Sequence, residues 1–159
     1  MNSLANLQFT PATASDFERL VDIRLISMRP SLEALGRFNP ERARARFAGE
    51  FAPEHTTLVF DQDRLIGCYA LIPKQDQLYL GHFYLLPEHQ GQGFGRYMLL
   101  RAIDIADNAT KDMVLIVLNQ SPAQAFYVKY GFVVVSSDEV ETLMLRKYLC
   151  SPATFSSSA

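Results

Sequence analysis

Cysteine is scarce: the 159-residue chain has two, Cys68 and Cys150, and neither belongs to a Cys-x-x-Cys pair. No Cys/His cluster has zinc spacing, so neither a zinc site nor a disulfide framework is expected. Long apolar runs are missing too. The longest, such as "MVLIVL" at 113–118, fall far short of a bilayer span. A dominant charge sign is also lacking: the formal net charge is -2, which gives no basic field for nucleic acid. The first twenty residues show no basic-then-apolar order of a signal peptide. Neither nucleic acid nor membrane is therefore an expected partner, and a reduced, cytoplasmic location is. No internal repeat occurs, and the one low-complexity stretch is the Ser-rich "SPATFSSSA". The expectation is a single domain over 1–149 with a disordered tail at 150–159.

What is present alternates between two periods. "NLQF" predicts a short strand. Ser15 and Glu18 offer a capping box for a helix whose stripe carries Phe17, Leu20, Val21 and Met28. Arg24 shares that apolar stripe, either to anchor a substrate carboxylate or to meet a buried acid. "RPSLEALGRFN" predicts a partly looped connection, and Asn39-Pro40 opens a second helix with Ala43, Phe47 and Phe51 spaced by four. "TTLVF", "RLIGCYALI" and "LYLGHFYLL" predict three strands in an antiparallel meander. In the third, His82, Tyr84 and Leu86 share one face, and Phe83 and Leu85 the other. "GRYMLLRAIDIADNA" predicts a helix with Leu99, Ala102, Ile103 and Ala106 inward. "MVLIVL" predicts a strand covered on both faces, which closes a βαβ unit. A helix capped at Ser121 and ended by Gly131 follows, then a hairpin of "FVVVS" and "ETLMLRK". The order βααβββαβαββ makes a mixed α/β sheet with one parallel crossover.

Between the third strand and its helix stands "LPEHQGQGFGR", with glycines at 91, 93 and 95. Amides at a helix N-terminus favour anions, and losing Cβ lets them approach a phosphate. Gly91, Gly93 and Gly95 fit a pyrophosphate cradle, with Gln90 and Arg96 at its mouth. The alternative is a tight turn in which glycine relieves crowding. A Walker loop is excluded because no lysine follows Gly95, and in the dinucleotide fingerprint the third glycine would fall on Arg96.

The matching pattern is Q/R-x-x-G-x-G/A, here Gln90-Gly91-Gln92-Gly93-Phe94-Gly95. With "FYLLPEHQ" before it and "SPAQAFYVKYGF" after it, the chain resembles the GCN5-related N-acetyltransferase (GNAT) family over most of its length. The resemblance implies a GNAT fold and transfer of an acetyl group from acetyl-CoA, without a metal, directly to a primary amine of a small molecule or an amino terminus. It implies a pyrophosphate on Gly91, Gln92, Gly93, Phe94, Gly95 and Arg96, and a pantetheine arm along Phe83, Tyr84 and Leu85. Tyr127, at the family's tyrosine position, is the implied proton donor to the thiolate; the alternative is a core tyrosine. Phe126 lines the cofactor or packs. Ser121 stands where many members have Asn, and Asn119 is the candidate to replace that contact. The base is open among His82, Glu88 and water, and His82 also reads as a core histidine. Arg24 and Arg29 are the candidate acceptor-binding residues. A homodimer stands as an option. The reading of a different class is a CoA-binding regulatory module without turnover; the intact glycine loop and Tyr127 favour the enzyme.

Overall fold

The computed structural model describes residues 6–119 and 121–150. The strands are β1 (Leu7–Pro11), β2 (Thr56–Asp61), β3 (Arg64–Lys74), β4 (Gln77–Leu85), β5 (Asp112–Leu118), β6 (Val133–Ser137) and β7 (Glu141–Arg146). The helices are α1 (Phe17–Ala34), α2 (Pro40–Glu50), α3 (Phe94–Asn108) and α4 (Ala123–Val128). The strand order is β1-β2-β3-β4-β5-β7-β6, a mixed sheet of the expected element order. By contacts the chain divides into two compact units. One runs to Ile72 and takes in Leu80–Tyr97; the other holds Pro73–Tyr79 and continues from Met98. The tail expected to be disordered lies, beyond Cys150, outside the described residues.

In the first unit β1 pairs antiparallel with β2, and β2 with β3. Leu20, Val21 and Ile23 of α1 and Phe47 of α2 form one core with Leu58, Cys68, Tyr84 and Leu86. Full burial of a Leu or Phe side chain contributes about 1.5–3 kcal/mol, so this core holds both helices to the strands. On the opposite face Phe9 stacks on Tyr97 at 5.9 Å, and Tyr69 meets Phe83 at 6.5 Å.

Two local expectations change here. The capping box before α1 belongs to Thr13 and the 3-10 turn it opens rather than to Ser15, and α1 itself begins after Asp16. Thr13 donates its N–H to Asp16 Oδ2 at 2.8 Å, across a 3-10 turn at Ala14–Asp16. Asp16 wins because Arg19 also clamps it, at 2.6 and 2.9 Å, while the Ser15 hydroxyl is spent on that of Thr13. The expected loop after Met28 is also shorter, because α1 continues through Pro30 to Ala34. A proline forfeits the bond to the fourth residue before it, here Ile26. Ile26 is half exposed. Asn39 behaves as expected: its Oδ1 accepts from Arg42 N at 3.0 Å.

In the second unit Gln77–Tyr79 of β4 pair parallel with Asp112–Val114 of β5. β5 then pairs antiparallel with β7, and β7 with β6. Leu99, Ala102, Ile103 and Ala106 of α3 are buried, as are Met113, Leu115 and Val117 of β5 and Met144 of β7. The expectation that β5 is covered on both faces fails: Ile116 is 43% exposed and burial alternates along the strand. Its parallel stretch is three residues long, and an antiparallel neighbour leaves one face open.

Candidate functional site

The glycine segment joins β4 to α3. Gly91 has φ +75° and Gly93 φ +90°, in the left-handed region that side chains with a Cβ rarely adopt. A Cβ at Gly91 would meet nothing within 4 Å. Crowding therefore does not explain that glycine; backbone direction and open space do. Tyr97 N is bonded to Gly93 O at 3.0 Å, so the amides of Phe94, Gly95 and Arg96 stand in the turn that lacks intrahelical partners. No acidic side chain lies in this first turn, and Arg96 is exposed there. An anion is favoured by all of these features. Phe94 itself is buried and meets His89 at 5.6 Å between ring centres. The side chain of Gln90 turns back, its Nε2 donating to Leu85 O at 2.9 Å, and Gln92 Nε2 donates to Glu88 O at 2.8 Å.

The phase of β4 follows from one bond, Leu86 N to Ile66 O at 2.9 Å. Backbone direction alternates along a strand, so Tyr84 and Leu86 address β3 while Phe83 and Leu85 direct N–H and C=O away from it. The Leu85 carbonyl is already taken by Gln90 and by Ser27 Oγ at 3.3 Å. The pairing of β4 with β5 ends at Tyr79. A ligand bearing amides in extended form can add to such a strand edge.

On the helix-facing side of β4 lies a buried polar group. Arg24, His82 and Tyr84 are each less than 9% exposed. Arg24 Nη1 donates to the Tyr84 hydroxyl, and His82 Nδ1 lies 3.3 Å from the same oxygen. Arg24 Nε and His82 Nε2 are buried without a hydrogen-bond partner. Leaving such a donor bare costs about 1–3 kcal/mol, more if it is charged. His82 has φ +50°, an uncommon left-handed residue inside a strand, and its ring meets Phe47 edge-on at 4.8 Å. Burial pushes its pKa down to about 4, helped by Arg24 and Arg46 and opposed by the carboxylate and main chain of Glu50. Burial likewise raises the Tyr84 hydroxyl, and holds the Cys68 thiol at about 12. Cys68 is therefore a neutral thiol, donating to the His82 carbonyl at 3.2 Å.

Tyr127 is buried in α4, its ring 5.3 Å from Phe126 and 5.5 Å from Phe132. The end of α4 is fixed as a Schellman motif: Phe132 N reaches Tyr127 O and Gly131 N reaches Val128 O, with Gly131 at φ +95°. Ser121 Oγ accepts from Ala123 N at 3.1 Å. The side-chain amide of Asn119 is hydrogen-bonded at both ends. Its Nδ2 donates to Asp138 O at 2.9 Å and its Oδ1 accepts from Thr142 Oγ1 at 2.6 Å, which ties β5 to the final hairpin. Arg29 is exposed, bonded to Glu33 at 3.2 Å, with its guanidinium over the Phe38 ring. Glu88 is exposed and pairs with Arg64; its own backbone amide and that guanidinium hold its carboxyl below the usual range. The sequence named Tyr84 for its backbone and missed its hydroxyl, although the shared face with His82 pointed to it.

Among the described residues no group of three or more His, Cys, Asp or Glu is placed to hold a metal ion. No helix of the described residues is long and apolar enough to cross a membrane.

The family model for the acetyltransferase (GNAT) domain matches residues 53–134, just over half of the chain. No curated protein sequence matches. Among solved structures, PaiA N-acetyltransferase from Thermoplasma acidophilum in complex with coenzyme A aligns with TM-score 0.74 at 22% identity. That alignment covers 89% of this chain and 99% of that one. An acetyltransferase from Thermus thermophilus aligns with TM-score 0.70 at 24% identity, covering 92% and 99%. The ribosomal-protein-S18-alanine N-acetyltransferase from Escherichia coli aligns with TM-score 0.70 at 16% identity, covering 92% and 97%. At these identities the likeness establishes the fold.

Proposed function

Because the chain belongs to the GNAT acetyltransferase family, we propose that it moves the acetyl group of acetyl-CoA directly to a primary amine. The observation that carries this reading is the glycine segment: left-handed Gly91 and Gly93, open space where a Cβ at Gly91 would stand, and first-turn amides without helical partners. Acetyl-CoA supplies an acetyl group activated as a thioester. The amides of Gly91 to Arg96 would hold its pyrophosphate, and Arg96 would add a cation. The pantetheine arm would run along Phe83, Tyr84 and Leu85, and the outward N–H of Leu85 would take one of its amides. An N–H at that edge also opposes the negative charge that grows on the thioester oxygen.

Tyr127 is the proposed acid. Its O–H gives a proton to the departing thiolate, which neutralises the negative charge that grows on the sulfur. The assignment comes from its place in "AQAFYVKYGF". We assign the amine's proton to water. Glu88 is spent on Arg64, and His82, with its pKa near 4 and Nδ1 facing the Tyr84 hydroxyl, is a weak acceptor. The test is a screen of primary amines for thiol release from acetyl-CoA, with calorimetry of acetyl-CoA binding alongside. Binding with amine-dependent release supports the enzyme. Tight binding with no release for any amine supports the regulatory module in its place.

A further inference from the structure

The polar group beneath α1 has donors and no anion. Arg24 remains a cation under any ordinary condition. Its one hydrogen bond among the described residues goes to a neutral hydroxyl, and among those residues it forms no ion pair with a carboxylate. Buried charges are ordinarily paired. The carboxylate that acts on His82 and Tyr84 from nearest by is that of Glu50, and it is bonded to Arg46 at 3.1 Å, partly exposed. The Glu50 main-chain carbonyl faces His82 as an acceptor and raises its pKa, but it stands outside hydrogen-bond geometry, so Nε2 lacks a full partner. Cys68 supplies no thiolate.

The hydroxyl between them fixes the proton arrangement. Tyr84 accepts from Arg24, so its own hydrogen can go to His82 Nδ1. Were His82 to donate from Nδ1 instead, the tyrosine hydrogen would be buried and unsatisfied, which costs more. The neutral imidazole therefore carries its proton on Nε2. Two bare donors result, Arg24 Nε–H and His82 Nε2–H, on side chains gathered at one oxygen. The left-handed φ at His82 is an independent mark, since such strain collects at functional positions.

We propose that Arg24 Nε and His82 Nε2 form a two-donor seat for the carboxylate of the acceptor, which makes the acceptor an amino acid or a closely related zwitterion. This rests on the acetyltransferase reading, and it adds the substrate class. Both nitrogens are shut from water in the free chain, so the acceptor displaces what covers them as it enters. The seat is tied to the segment proposed to hold the pantetheine arm: Arg24 bonds Tyr84, and Ser27, one turn on, bonds Leu85 O at 3.3 Å. A carboxylate held there keeps a neighbouring amine beside that strand edge. His82 thus acts as a binding donor in place of a base.

The test uses the full chain saturated with acetyl-CoA and a panel of L-amino acids, each with its matched carboxamide. The first readout is the imidazole nitrogen NMR signal of His82, which needs no turnover. A subset of the amino acids shifts it and raises its pKa, and their carboxamides do not. The second is kinetic: Arg24→Gln raises KM for the preferred amino acid by roughly 10–100-fold, the scale of a lost charged hydrogen bond, and raises KM for the carboxamide far less. Melting temperatures with and without acetyl-CoA check that Arg24→Gln still folds and binds it. A wild type that binds acetyl-CoA but uses acid and amide equally, or shows no His82 shift with any amino acid, overturns the seat. A wild type that does not bind acetyl-CoA overturns the acetyltransferase reading instead.

Discussion

Gly67 of β3 lies so close to the carbonyl of Tyr84 in β4 that a β-carbon at position 67 would collide with it. The atom it would strike is backbone, which cannot swing aside as a side chain would. Gly67→Ala is therefore expected to lower stability by roughly 3 kcal/mol, the upper part of the overpacking range. A urea midpoint unchanged from wild type would show that the two strands can part without cost.

Arg146 is buried and grips Asp107 with both terminal nitrogens, at 2.8 and 3.2 Å, while its Nε donates to Tyr130 O at 3.1 Å. Removing one partner of such a pair strands the other charge. Asp107→Ala is expected to cost about 3 kcal/mol in denaturant unfolding. A loss below about 1 kcal/mol would place the pair with exposed ion pairs instead.

Stability should also depend on pH through His82. Unfolded, this histidine titrates at 6.5; folded, its pKa is pushed down to about 4 by burial, with Arg24 and Arg46 lowering it and Glu50 raising it. Between these values the unfolded chain holds a proton that the native chain does not. The contribution is whole above 6.5 and shrinks as pH falls to about 4, by roughly 3 kcal/mol in all. Urea midpoints at about pH 7 and about pH 4.5, which bracket most of this window, should differ more for wild type than for His82→Gln. Parallel losses in the two proteins would remove His82 from this role.

Tyr127→Phe keeps the ring that packs on Phe126 and Phe132 and removes the hydroxyl. Its acetyl-CoA affinity should match wild type while kcat falls by ~10²-fold or more, the scale of general acid catalysis. Near-normal turnover would leave Tyr127 a packing residue.

Much of this was readable in the chain because local signals and tertiary demands agree. Asn39-Pro40 starts α2, Gly131 ends α4, and the alternation in "LYLGHFYLL" puts His82 and Tyr84 toward the helices. What escaped the sequence depends on partners far along it. Nothing near Asn119 announces that Thr142 and Asp138 will use its amide. Arg24 was visible as a charge on an apolar stripe, but its partner, a hydroxyl sixty residues away, was not. "TASDFE" holds two overlapping capping solutions, and Arg19 decides between them. The left-handed backbone at His82 has no signature, because a histidine in an apolar run reads as ordinary strand.

The most direct test follows the acetyl carbon itself. Acetyl-CoA labelled with carbon-13 at the carbonyl is mixed with the protein and an amine found in the screen, and the signal is watched by NMR. The account predicts that the thioester resonance is replaced by an amide resonance, that the exchange requires the amine, and that Gly93→Val slows it at sub-saturating acetyl-CoA. Label that stays on the thioester for every amine, or that leaves as free acetate whether or not an amine is present, would contradict it.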